Sequence, residues 1–475
     1  MNPFTQDKLN HVSRDNNILA TDFYKCTHWL QYPATAEHVC SYLEARGGYS
    51  DTLEYIGLQM ILMDHFEGIR IEQWMIDDAE YFITQVGGFK EYFNREGWQR
   101  IIDVHGGKLP LRIKSLPEGM IVPVRTPLFT IENTDPKLPW LTNWAETLLL
   151  NTWYPITVAT ISYNFRKAAK SFEDMCGDKI GPCFLTDFGY RGTETKMSAG
   201  RGGCAHLAND PGTDTLEGIV YARRYYGASF DDGPIGLSVF ATEHSTTTIH
   251  GREHEYEAME KFIDTAPGEA IVSLVSDSYD IFKATEFLVS IKDKILSRKG
   301  KVVVRPDSGD PPSVSKQVMD ILWNGFGGTV NEKGYKVLDP HVGVIYADGI
   351  NVHTYTNILE AVVKYGHYSI KNIIFGMGGG LLQDCNRDTH KFAIKCNAAK
   401  VDGKWIDVYK DPITDPGKMS KLGKQAVYIK NGVFHTVRED SIPEGETNLL
   451  ETVFENGEIV KYNTWNDIKK NISKG

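Results

Sequence analysis

Seven short apolar runs, CFLTDF, LSVFAT, AIVSLVS, KVVVRP, VGVIYAD, NIIFGMG and KFAIKC, recur between residues 183 and 396. They alternate with helical stretches such as YDIFKATEFLVSIKDKIL and HTYTNILEAVVKYG. A strand that is apolar along its whole length has both faces covered, which parallel sheets achieve by crossing back through helices. The alternation therefore predicts a parallel α/β architecture, either a barrel or an open sheet. From Pro110 to Thr134, apolar and polar residues alternate between proline and glycine punctuation, the pattern of a short β-meander. Beyond Trp405, Asn431-Gly432 and Asn456-Gly457 each sit between alternating apolar runs and predict hairpins. Hairpins do not extend a parallel barrel. The two chain ends are therefore assigned to a second, mixed α+β domain, 1–180 completed by 401–475, with 181–400 as the barrel.

Charge and cysteine content narrow the function. The 51 basic against 62 acidic side chains leave a net charge of −11, so no global field draws this chain to nucleic acid or an anionic bilayer. Any polyanionic ligand must meet a local basic site. The seven cysteines are scattered and form no C-x-x-C pair, which fits reduced thiols better than a disulfide framework or a zinc cage. The N-terminal residues lack the apolar core of a signal peptide, and the expected location is cytoplasmic. The uncharged run at 147–165 is interrupted by Asn151, Pro155 and Asn164, groups that lipid cannot satisfy, and reads as a buried, kinked helix.

The polar residues cluster where the apolar runs end. AIVSLVS leads into Ser276, Asp277 and Asp280; KVVVRP carries Arg305 and Asp307; VGVIYAD ends at Ala347-Asp348; NIIFGMG opens into Gly378 and Gly379, with Arg387 just beyond. Loops at the C-terminal ends of parallel strands converge on one face, so four such clusters predict one site for anions and hydroxyls. Each loop alone is equally well a turn or a helix cap. Between 384 and 424 nine basic residues face six acidic ones, against the acidic excess elsewhere. His244 follows one apolar run and precedes a Ser/Thr helix start. Phe188 and Tyr24 supply aromatic faces suited to a planar ring, and Phe188 is equally compatible with the core. A competing motif is His250-Gly251-Arg252-Glu253-His254, which has the H-x-x-E-H order of a zinc peptidase. At helical spacing, Ile249, Tyr256, Met259 and Ile263 form the apolar side, and His250, His254 and Glu257 point to solvent.

The ordered set ATDFYKCTHWLQYP, TDFGYRG, GTDT, EHST, VSDSYD, RPDSG, ADG, GMGGGLLQ and KDPITDPGKMSK resembles the nicotinamide phosphoribosyltransferase family, type II phosphoribosyltransferases related to the nicotinate enzymes. The resemblance runs from about residue 17 to the C-terminal hairpins. It implies an irregular β/α barrel with a mixed domain from both chain ends, and a homodimer with active sites at the interface. The implied reaction condenses nicotinamide with phosphoribosyl pyrophosphate (PRPP), with Mg²⁺, and couples ATP hydrolysis through a phosphohistidine at His244.

Carried onto this sequence, the resemblance implies that Phe188 and Tyr24 of the partner subunit stack on the pyridine ring. Asp214 accepts a hydrogen bond from the carboxamide, and Ser238 and Ser276 line the pocket beside it. Arg191, Arg305 and His244 hold pyrophosphate; Asp307, Ala347 and Asp348 the ribose; Gly378, Gly379 and Arg387 the 5′-phosphate. Asp280 orients His244. The resemblance leaves the Mg²⁺ ligands open. Ala347 stands where the family pattern has glycine. The alternatives are a nicotinate phosphoribosyltransferase, the zinc peptidase, and a non-catalytic phosphosugar-binding protein.

Overall fold

The apolar runs pair as the alternation requires, with one exception. The computed structural model describes residues 16–414 and 419–474; residues 1–15 and 415–418, including Lys418 and the centre of KDPITDPGKMSK, lie outside them. The chain divides into two compact units, residues up to 156 with those from 387 onward, and residues 157–386. Both boundaries fall earlier in the chain than the expected 180/181 and 400/401. From residue 157 the helix Trp153–Cys176 packs within the second unit, where Phe165 stacks on Tyr355 at 3.9 Å and meets Phe375 edge-on. KFAIKC, in turn, is a strand of the first.

In the unit 157–386, six strands form one parallel sheet in the order Leu185–Asp187, Ile373–Met377, Val342–Tyr346, Val302–Arg305, Val272–Val275 and Phe240–Ala241. Single parallel bridges, Asp187 to Thr213 and Gly212 to Leu237, carry the pairing from one edge to the other and close an irregular barrel. The polar GTDT segment thus takes the seventh position that the sequence pattern assigns to KFAIKC. The outer helices begin and end on local signals. Pro311–Phe326 starts with the Asp310 side chain accepting from Ser313 N at 3.1 Å, and stops at Gly327, whose φ of 75° is left-handed. Lys196–Leu207 and Leu216–Tyr226 meet backbone to backbone at Gly203 and Gly218. A Cβ on Gly218 would lie 2.7 Å from the Gly203 carbonyl carbon.

The other unit is built on a seven-stranded antiparallel sheet in which the long strand Ala36–Ala45 lies between Phe392–Val401 and Phe129–Asn133. Its core includes Trp98, Trp140, Trp144, Phe129, Phe392 and Phe454. The expected meander is only partly present: Leu111–Ser115 pairs directly with Phe129–Asn133, and Met120–Pro123 leaves to pair with Thr52–Tyr55. Both Asn-Gly hairpins form, with φ of 52° and 76° at Asn431-Gly432 and 51° and 87° at Asn456-Gly457. The uncharged run at 147–165 breaks between Leu141–Leu150 and Trp153–Cys176. No helix of the described residues is long and apolar enough to cross a membrane. None of the seven cysteines is in a disulfide.

Candidate active site

Side chains of a strand alternate between faces, so alternate residues of each barrel strand point into the lumen. Ser273, Val303 and Arg305, Ile345 and Ile374 do so and line a cavity of about 450 Å³. At its C-terminal end the cavity is bounded by Phe188, Asp214, Ser238 and Arg305. The Phe188 N–H donates to Met377 O at 3.0 Å, and its ring lies over Gly376, where any Cβ would collide with it. The Ala347 methyl group faces the same spot, 3.1 Å from where that Cβ would stand. The Asp214 N–H donates to Asp187 O at 2.9 Å, and its carboxylate accepts from the Ser238 hydroxyl. Arg305 Nε is buried without a hydrogen-bond partner, a guanidinium left with a donor for an anion. Ser276 does not line the cavity. It has the opposite strand parity to Ser273, is fully buried, and donates to Leu274 O at 2.8 Å.

His244 lies at the start of the helix His244–Thr248 with its ring half-exposed between two carboxylates. Nε2 is 3.1 Å from Asp277 Oδ1, and Nδ1 is 3.9 Å from Asp307 Oδ2. The other Asp277 oxygen accepts from the Ser308 hydroxyl. Asp280 is not the orienting group. It caps the helix Ile281–Ser290, accepting from Phe282 N at 3.2 Å and Lys283 N at 3.1 Å. A carboxylate at Nε2 favours the tautomer protonated there and leaves the Nδ1 lone pair free. Burial holds the Asp307 carboxyl above its ordinary range. Asp277 and Asp348 reinforce the shift, while Arg305 and His244 oppose it. Among the described residues no three acidic, His or Cys side chains form a ready-made metal cage. A pair of carboxylates beside a substrate site fits Mg²⁺, which keeps its waters and substrate phosphates as ligands.

Gly378 and Gly379 follow the strand Ile373–Met377 and are open to close approach, since a Cβ on Gly379 would meet only Gln383 Oε1 at 3.6 Å. Their neighbour Gly380 is a packing glycine, pressed against the Ile350 carbonyl. Arg191 sits exposed on the turn Tyr190–Gly192 and makes no ion pair among the described residues. The other unit holds Tyr24, 60% exposed, and Arg387, paired with Asp388 at 3.2 Å. That unit also holds a basic group in which Arg46, not singled out by sequence reasoning, joins members of the basic stretch 384–424. Burial pushes the Lys395 ammonium down, Glu146 opposes, and Lys410, Arg46 and Arg387 add repulsion. Arg46 follows Ala45 and Lys395 pairs with Tyr42, so the neighbouring strands bring together residues some 350 apart in sequence. The H-x-x-E-H residues do not share one helix. The chain turns at Gly251, with φ of 84°, the next long helix starts at Glu255, and Ile249 is exposed rather than buried.

A sequence profile of the nicotinate phosphoribosyltransferase (NAPRTase) family matches residues 183–458, and one of the nicotinamide phosphoribosyltransferase N-terminal domain matches residues 16–113. The chain belongs to this family. It is 44% identical to a nicotinamide phosphoribosyltransferase of Xanthomonas campestris, over 94% of this chain and 96% of the relative. It is 33% identical to one of Acinetobacter baylyi, over 97% and 98%. In fold it is similar to a nicotinate-nucleotide pyrophosphorylase of Pyrococcus furiosus, with a TM-score of 0.61 at 17% identity covering 100% of this chain and 97% of that one. It is also similar to human nicotinic acid phosphoribosyltransferase, with a TM-score of 0.52 at 14% identity covering 96% and 93%.

Proposed function

We propose that the protein is a pentosyltransferase that condenses nicotinamide with PRPP to nicotinamide mononucleotide and pyrophosphate, a step of NAD salvage. The observation that carries the reading is the Asp214 carboxylate, fixed by Ser238 beside the Phe188 ring at the cavity mouth. A carboxylate there accepts from a carboxamide N–H and repels an ionised pyridine carboxylate. The pyridine nitrogen attacks the anomeric carbon while the bond to pyrophosphate breaks, through an oxocarbenium-like state. Arg305 and Arg191 neutralise the departing pyrophosphate, and the open backbone at Gly378 and Gly379 receives the 5′-phosphate. Asp307 and Asp348 hold the ribose hydroxyls beside Ala347. Mg²⁺, held through Asp277 and Asp307 with substrate oxygens, would supply charge neutralisation.

His244, with Nδ1 free and Nε2 bound to Asp277, is suited to accept a phosphoryl group from ATP, coupling ATP hydrolysis to the condensation. Arg387 at the 5′-phosphate, a homodimer in which Tyr24 of the partner subunit completes the site, and a cytoplasmic location belong to the same reading and rest on the family resemblance. The test is product formation by the purified protein from PRPP and Mg²⁺ with either pyridine, with and without ATP. Turnover of nicotinate but not nicotinamide would overturn the substrate assignment.

A further inference from the structure

The strand Val302–Arg305 places a cation at each end of the lumen. Lys301, Val303 and Arg305 share the inward parity and all line the cavity. At 3.3 Å per residue the two charged positions are about 13 Å apart. The Arg305 end faces Asp214 and the site described above. The Lys301 end lies at the opposite, N-terminal mouth, against an aliphatic belt of Ile271 and Val303. We infer that this mouth is a second binding site, built around the Lys301 ammonium, for a flat aromatic monocarboxylate.

Lys301 lies across Gly343, where a Cβ would stand 3.3 Å from its Cδ and 3.6 Å from its Nζ. Its side chain makes no hydrogen bond or ion pair among the described residues. The groups around it are already engaged. Lys371 is paired with Asp178 at 2.6 Å, the Asn372 amide spans Leu338 N and Lys336 O, and Asp339 accepts from the His341 backbone and ring. Burial pushes the ammonium down, and Asp339 only partly opposes this. An unpaired cation at an apolar wall gains most from an anion that brings its own apolar body. One charge that Asp339 only partly offsets matches a monoanion, because a phosphate dianion would need Lys371, which Asp178 neutralises. The aliphatic belt suits a flat ring. A second cavity of about 510 Å³ shares Lys301, Lys371 and Asn372 and reaches Gly328, Thr329 and Val337 of the adjoining hairpin, which gives the mouth room for a ligand to enter.

The lumen therefore has opposite preferences at its two ends, carboxamide at Asp214 and carboxylate at Lys301. This inference goes beyond the proposed activity and its test needs no turnover. Calorimetric titration of the full chain, saturated with nicotinamide so that the Asp214 end is filled, with benzoate is compared with benzamide, its neutral isostere, in wild type, Lys301→Met and Lys301→Arg. Wild type is expected to prefer benzoate. Lys301→Met is expected to weaken benzoate about tenfold, the size of one charge-assisted hydrogen bond. Lys301→Arg should retain it, and nicotinamide affinity should be unchanged in both variants. Benzoate affinity that is absent in wild type, unmoved by Lys301→Met, or lost together with nicotinamide affinity overturns the inference. The arginine variant separates loss of charge from misfolding.

Discussion

Asp277 Oδ1 stands 3.1 Å from His244 Nε2, while Asp280, three residues on, is turned away to cap the next helix. The two carboxylates are therefore expected to fail differently. Asp277→Ala should remove the ATP stimulation of product formation much as His244→Ala does, by about 10- to 100-fold, because the imidazole loses its tautomer-fixing partner. Asp280→Ala should keep that stimulation and lose about 1 kcal/mol of stability, the usual cost of an N-cap. Rate assays with and without ATP, beside thermal melts, check both. An Asp280→Ala enzyme that has lost its ATP response would reverse the assignment.

Asp214 accepts from Ser238 at an exposed lip, so its removal strands no buried group. Asp214→Ala should therefore leave the melting temperature nearly unchanged. The kcat/KM ratio of nicotinamide to nicotinate should fall by about 10- to 100-fold, the range for a hydrogen bond to a charged partner. Competition between the two pyridines in one reaction measures the ratio directly. An unchanged ratio refutes the selective role of the carboxylate.

The barrel was legible wherever burial left an apolar run, and both Asn-Gly hairpins were legible because that dipeptide meets the need for two positive φ angles. The seventh barrel position escaped because GTDT is polar and pairs through single bridges. KFAIKC is as apolar as a barrel strand, yet the long strand Ala36–Ala45 pairs with it in antiparallel register. At the site, the family resemblance named Asp214, the aromatic inventory Phe188 and the strand ends Arg305, and all three line one cavity. The strand ends did not separate Ser273 from Ser276, or Asp277 from Asp280, because strand parity and the first turn of a helix decide those pairs. The basic excess around Lys395 was visible in the sequence, but its link to Arg46 depends on neighbouring strands and leaves no local trace.

Gly376 is required by the ring above it. Gly376→Ala would drive a methyl group into Phe188, forcing the ring out of its seat. Overpacking of this kind costs about 1–3 kcal/mol. The expected result is a lower melting temperature together with a raised KM for nicotinamide, since the displaced ring is the one proposed to stack on the pyridine. Ala347→Gly, which removes the neighbouring methyl, should partly restore both in the double variant.

His390 is fully buried beside Tyr49, ring centroids 4.7 Å apart, and burial pushes its imidazole down to about 4, opposed by the Gly47 backbone. A histidine that is harder to protonate in the folded chain makes the unfolded chain bind more protons between its ordinary pKa of 6.5 and about 4. Stability then rises with pH across that window and is lost as the pH falls through it. A shift of this size corresponds to roughly 3 kcal/mol. Melting temperatures of wild type and His390→Leu, taken from pH 7 down to pH 4, should therefore diverge, the wild type falling more steeply. Parallel profiles would mean that His390 ionises as readily in the fold as out of it.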